Sequence, residues 1–97
     1  MRMSKDVILF TMVGCPFCTD MKNLLDEEGI DYYEMDIHEN PQEFDVFTDI
    51  VGNDYIPAFM LVEDMDKESP VSKCYAPDRD YNELSEGVDI IKGFLAN

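Results

Sequence analysis

Apolar positions fall into short continuous runs and helically spaced stripes, and the two alternate along the chain. Val7-Ile8-Leu9-Phe10 is wholly apolar and rich in strand formers, the pattern of a strand covered on both faces. After Pro16, the spacing of Phe17, Met21, Leu24 and Leu25 predicts one face of a helix, with Glu27-Glu28-Gly29 as its stop. Asp31 to Ile37 sets acidic residues between Tyr33, Met35 and Ile37, as in a half-buried strand. Asn40-Pro41-Gln42-Glu43 reads as a helix start, with a capping side chain, proline at the first helical position and glutamate two residues later. Phe44, Phe47, Ile50 and Val51 then line one face, and Gly52 ends the helix.

Ala58 to Val62 and Val71 to Tyr75 are two further strand-like runs, joined as a hairpin across an acidic turn from Glu63 to Pro70. From Asp80 as N-cap, Leu84, Val88, Ile91 and Phe94 trace a last amphipathic helix, weakened by Gly87 and Gly93. The order is β-α-β-α-β-β-α. A right-handed crossover makes the first two strands parallel, and the hairpin completes a four-stranded mixed sheet flanked by three helices, an α/β architecture. With 97 residues there is one core to build, so residues 1–97 are expected to form a single domain.

Seven Lys and Arg against 22 Asp and Glu give a formal charge of −15. That sign repels phosphate backbones and anionic membranes, so neither nucleic acid nor membrane is expected as a partner. It serves solubility, or steering toward a partner with a basic face. No run suits a membrane span or a signal peptide, and a cytoplasmic monomer is expected. Three cysteines do not make a secreted disulfide framework; two of them stand in Cys-x-x-Cys spacing and read as working thiols.

The chemistry concentrates in Cys15-Pro16-Phe17-Cys18. Between an apolar strand and an amphipathic helix, Cys15 falls at the N-cap and Pro16 at the first helical position. Unpaired N–H groups and the helix dipole stabilise an anion there, so the Cys15 thiol is expected to have a depressed pKa and to act as nucleophile. Cys18, within the first turn, is placed to resolve a mixed disulfide. Phe17 either packs in the core or offers its ring to a substrate. Zinc would need a second ligand pair, and Cys74 and His38 do not form one, so no metal is expected. Ile56-Pro57 precedes a strand; as a cis peptide it would free the Ile56 backbone to pair with an extended substrate. Lys22 either lends positive potential to the thiolate or lies on a solvated face, Cys74 reads as a small buried hydrophobe, and His38 as surface loop.

Thr11, Cys15-Pro16-Phe17-Cys18, Lys22, Gly52 and Ile56-Pro57 together resemble a glutaredoxin of the dithiol type. The resemblance covers nearly the whole chain and implies a thioredoxin-like fold, a cis proline at Pro57, and thiol-disulfide exchange with glutathione as co-substrate and no permanently bound cofactor. Implied partners are glutathione and disulfide-bearing proteins, with ribonucleotide reductase among the family's targets. By the same alignment Asp80 would meet the glutathione amino group and Arg79 a carboxylate, alongside Phe17, Ile56 and Pro57; the residue-level alternative makes Asp80 an N-cap and Arg79 a solvated side chain. Met12 stands where many members carry a lysine, and Phe44 to Val51 offers no cation. These departures admit a redoxin reduced by thioredoxin reductase. A module holding a [2Fe-2S] cluster through Cys15 and glutathione is the alternative from another class.

Overall fold

The computed structural model describes residues 5–63 and 71–96. Its elements run β1 (Lys5–Thr11), α1 (Pro16–Glu27), β2 (Tyr33–Asp36), α2 (Pro41–Val51), β3 (Ala58–Glu63), β4 (Val71–Tyr75) and α3 (Leu84–Ala96). The acidic hairpin turn predicted beyond Glu63 lies outside the described residues. The sheet order is β2-β1-β3-β4, with β1 parallel to β2 and antiparallel to β3, and β3 antiparallel to β4. This is the thioredoxin-like α/β arrangement the sequence pattern predicts.

The unbroken apolar run of β1 is explained by its central place in the sheet. Val7 and Leu9 pack with Met21 and Leu25 of α1, Phe59 and Leu61 of β3, and Val88 and Ile91 of α3. Phe10, facing the other way, packs with Phe47 and Val51 of α2, Ala58 and Ala76, with Ile8 against the edge of that cluster. Two cores therefore share one strand, and burying a side chain of this size contributes about 1.5–3 kcal/mol. The Phe10 ring lies 4.6 Å from that of Phe47 and 5.7 Å from that of Phe44.

Several local expectations give way to packing. Tyr33, assigned to a buried face, is 60% exposed because β2 is an edge strand with a neighbour on one side only; Met35 and Ile37 do reach the core. Ile50 is likewise exposed, and with Val46 it borders an apolar cavity of about 410 Å³ between α2 and the sheet. Asn40 does not cap α2 with its side chain: its Nδ2 donates to the Asp36 carbonyl at 3.0 Å, while the Asp36 carboxylate takes the His38 and Glu39 N–H groups. Gly52 ends α2 with φ +85°, a left-handed conformation that favours glycine.

The last helix begins at Leu84, later than the predicted start at Asp80. The Asp80 carboxylate takes the Ala76 N–H at 2.8 Å and so closes the 76–80 turn rather than capping the helix. Glu86 instead reaches back to the N–H groups of Asn82 and Glu83, at 3.1 and 2.8 Å, in the manner of a capping box. Those two bonds hold the Glu86 carboxyl below the usual range. Gly87 has a packing reason to be there: a Cβ would stand 3.3 Å from Met21 Cε and Tyr81 Cε2 and 3.4 Å from Phe59 Cε1.

Candidate functional site

The site forms where β1 hands over to α1. Past Thr11 the chain turns so that the Cys15 N–H donates to the Met12 carbonyl at 3.3 Å. Cys15 is the N-cap in extended conformation, Pro16 occupies the first turn where a missing N–H costs nothing, and no acidic residue lies in that turn. The Cys18 N–H points at Cys15 Sγ at 3.2 Å, and the Thr19 N–H donates to the Cys15 carbonyl at 3.2 Å. Cys15 and Cys18 are joined as a disulfide. Cys15 is 9% exposed and Cys18 1%, so the second cysteine is the more deeply enclosed of the pair. An N–H aimed at sulfur at the positive end of a helix favours negative charge on Cys15 once the bond is reduced.

The Ile56-Pro57 peptide is cis. Pro57 is buried and Ile56 half-buried at the entry to β3. Tyr81, approaching from the segment before α3, donates its hydroxyl to the Pro57 carbonyl. Phe17, two residues from the first cysteine, turns outward at 65% exposure and leaves the helix face it was spaced to join. A groove of about 430 Å³ lies between these parts, lined by Phe17, Asp20, Ile56 and Pro57 on one side and by Asn82, Glu83, Leu84 and Ser85 on the other.

The glutaredoxin family model matches residues 7–61, more than half of the chain, taking in the cysteine pair and the cis proline. The chain belongs to the glutaredoxin family. No curated protein matches it. Membership and the Cys15–Cys18 pair together support thiol-disulfide oxidoreductase activity, in a family that acts on glutathione and disulfide substrates.

In this glutaredoxin the structure brings Phe17, Ile56 and Pro57 together at one groove and leaves Arg79 and Asp80 outside its lining. The two are occupied with each other and with the backbone. Arg79 Nη1 donates to Asp80 Oδ2 at 2.7 Å and to the Cys74 carbonyl at 3.2 Å, while the same Asp80 oxygen takes the Ala76 N–H. Lys22 is likewise engaged, 3.0 Å from Glu34, whose carboxylate also accepts the Thr11 hydroxyl at 2.6 Å. The Thr11 hydrogen bond, ahead of Lys22, holds the Glu34 carboxyl below its usual range. Burial pushes the half-buried Cys74 thiol up, away from reactivity.

Tyr81 and the groove residues Asp20, Glu83 and Leu84 were not legible as site residues in the sequence. Tyr81 is only an aromatic within a polar stretch, and the hydrogen bond to Pro57 depends on bringing together residues 24 apart. Among the described residues no group of three His, Cys, Asp or Glu is placed to hold a metal ion, and no helix is long and apolar enough to cross a membrane.

Proposed function

We propose that this glutaredoxin is a dithiol electron carrier that reduces protein disulfides and glutathione mixed disulfides, with glutathione as the co-substrate that restores its dithiol. The Cys15 thiolate attacks a substrate sulfur and forms a mixed disulfide; Cys18 then attacks Cys15 Sγ, releasing reduced substrate and leaving the Cys15–Cys18 bond. The observation that supports this best is the Cys15 sulfur at the helix N-cap, with the Cys18 N–H on it and the second sulfur within bonding reach. Ile56, beside the cis proline, offers backbone groups for an extended substrate, and Phe17 a ring for its side chains.

A second reading, reduction by thioredoxin reductase, is favoured by one observation: Arg79, assigned to a glutathione carboxylate, is engaged by Asp80 and the Cys74 carbonyl instead. Turnover of a protein disulfide with NADPH, glutathione and glutathione reductase, set against NADPH and thioredoxin reductase, separates the two. Activity only in the second system would overturn the glutathione-dependent reading, and activity in neither would overturn both.

A further inference from the structure

The groove between Phe17 of the Cys-x-x-Cys turn and the cis-proline segment carries a charge as well as a shape. Its apolar surface, from Phe17, Ile56, Pro57 and Leu84, is flanked by the carboxylates of Asp20 on α1 and Glu83 ahead of α3, and no described Lys or Arg lines it. Asp20 and Glu83 are both exposed, as is Asp54, two residues before Ile56. The two basic side chains considered for this site from sequence, Lys22 as a source of positive potential and Arg79 as a carboxylate partner, are paired with Glu34 and Asp80. The chain as a whole, at −15, adds a long-range field of the same sign.

We propose that Asp20 and Glu83 are specificity determinants that select disulfides carried on cationic polypeptide segments, with Lys or Arg within a few residues of the cysteine and an apolar side chain against Phe17. The proposal rests on the dithiol reading above. A lone anionic thiol compound meets the same carboxylates as repulsion, whereas a basic peptide gains attraction on approach and in the complex. The transfer itself is ordinary exchange. As the Cys15–peptide S–S bond forms, the peptide S–S bond breaks and its expelled thiolate takes a proton from water. Cys18 loses its proton to solvent and attacks Cys15 Sγ, the second peptide thiolate leaves, and two electrons have passed from the enzyme dithiol to the peptide.

The test uses the full chain, reduced with dithiothreitol and freed of it, reacted with three cyclic peptide disulfides alike except for Lys, Ser or Glu on either side of the cysteines. The readout is the second-order rate of dithiol oxidation. At low ionic strength the Lys peptide is expected to react about tenfold faster than the Ser peptide and the Glu peptide slower still. The ranking should collapse in 1 M salt, where the screening length falls to about 3 Å. Asp20→Asn should shrink the Lys-to-Glu ratio, and Asp20→Asn with Glu83→Gln should bring it below about threefold. Equal rates for the three peptides, or an unchanged ratio in the double variant, would overturn the proposal alone. Failure of all three to oxidise the dithiol would overturn the dithiol reading along with it.

Discussion

Tyr81→Phe removes one oxygen and tests how the cis-proline segment is held. The Tyr81 side chain is 4% exposed, its ring stacks on Phe59 with centroids 5.6 Å apart, and its hydroxyl donates to the buried Pro57 carbonyl. Phenylalanine keeps the stack and leaves that carbonyl without its donor. A buried acceptor left unsatisfied costs about 1–3 kcal/mol, and for a chain of this size each kcal/mol moves Tm by roughly 4–8 °C. Urea unfolding of the oxidised proteins at pH 7 should therefore show a lower midpoint with an unchanged slope. Burial first, and the Asp80 charge second, push the Tyr81 pKa well above its ordinary 10. The folded chain thus keeps this proton at a pH where the unfolded chain has lost it. The associated stability is full below pH 10 and declines as pH rises, by up to about 1.4 kcal/mol per unit. The wild type should lose stability above pH 10 more steeply than Tyr81→Phe, so the gap between them narrows there. A gap below about 0.3 kcal/mol at pH 7, constant to pH 11, would refute the buried hydrogen bond.

Other outcomes follow from single contacts. Gly93 is exposed with nothing within 4 Å of an added Cβ, so Gly93→Ala should stabilise by about 0.5–1 kcal/mol; Gly87→Ala, crowded by two aromatic rings, should lose about 1 kcal/mol despite the same helix gain, both read by urea midpoint. Glu34 has a depressed folded-state pKa, so its contribution is present above the ordinary carboxylate range and lost as pH falls through the lower folded value; Glu34→Gln should flatten the acid limb of a stability-against-pH curve. Cys18→Ser should stall on protein disulfides as a mixed disulfide at Cys15, visible by mass spectrometry, while retaining deglutathionylation; unchanged turnover of protein disulfides would refute the resolving role.

What could be read from sequence was what local chemistry decides. The four apolar residues of β1, the proline after Cys15 and the glycine after Val51 each carry their structural meaning in place, and the element order followed from such signals. The positions the sequence left open or placed differently depend on neighbours remote in the chain. Phe17 has helical spacing with Met21 and was open between core and substrate contact; the structure turns it outward. Asp80 looks like an N-cap until the Ala76 N–H, four residues earlier, is found on its carboxylate. Gly87 looks like a weakness in α3 until Met21, Phe59 and Tyr81 are brought against it. Arg79 and Asp80, which the resemblance sets against two ends of glutathione, are paired with each other in the structure, a contact between adjacent residues that the sequence does not announce.

The unequal burial of the two cysteines bears on kinetics. With Cys18 enclosed more deeply than Cys15 and Cys15 the attacking thiol, oxidising substrate and regenerating reductant take turns at a single atom. Under the proposed cycle that enforces a ping-pong sequence, with parallel double-reciprocal plots. Each partner at high concentration then inhibits the other's half-reaction by occupying their common landing point, and flux is greatest when the two supplies are balanced.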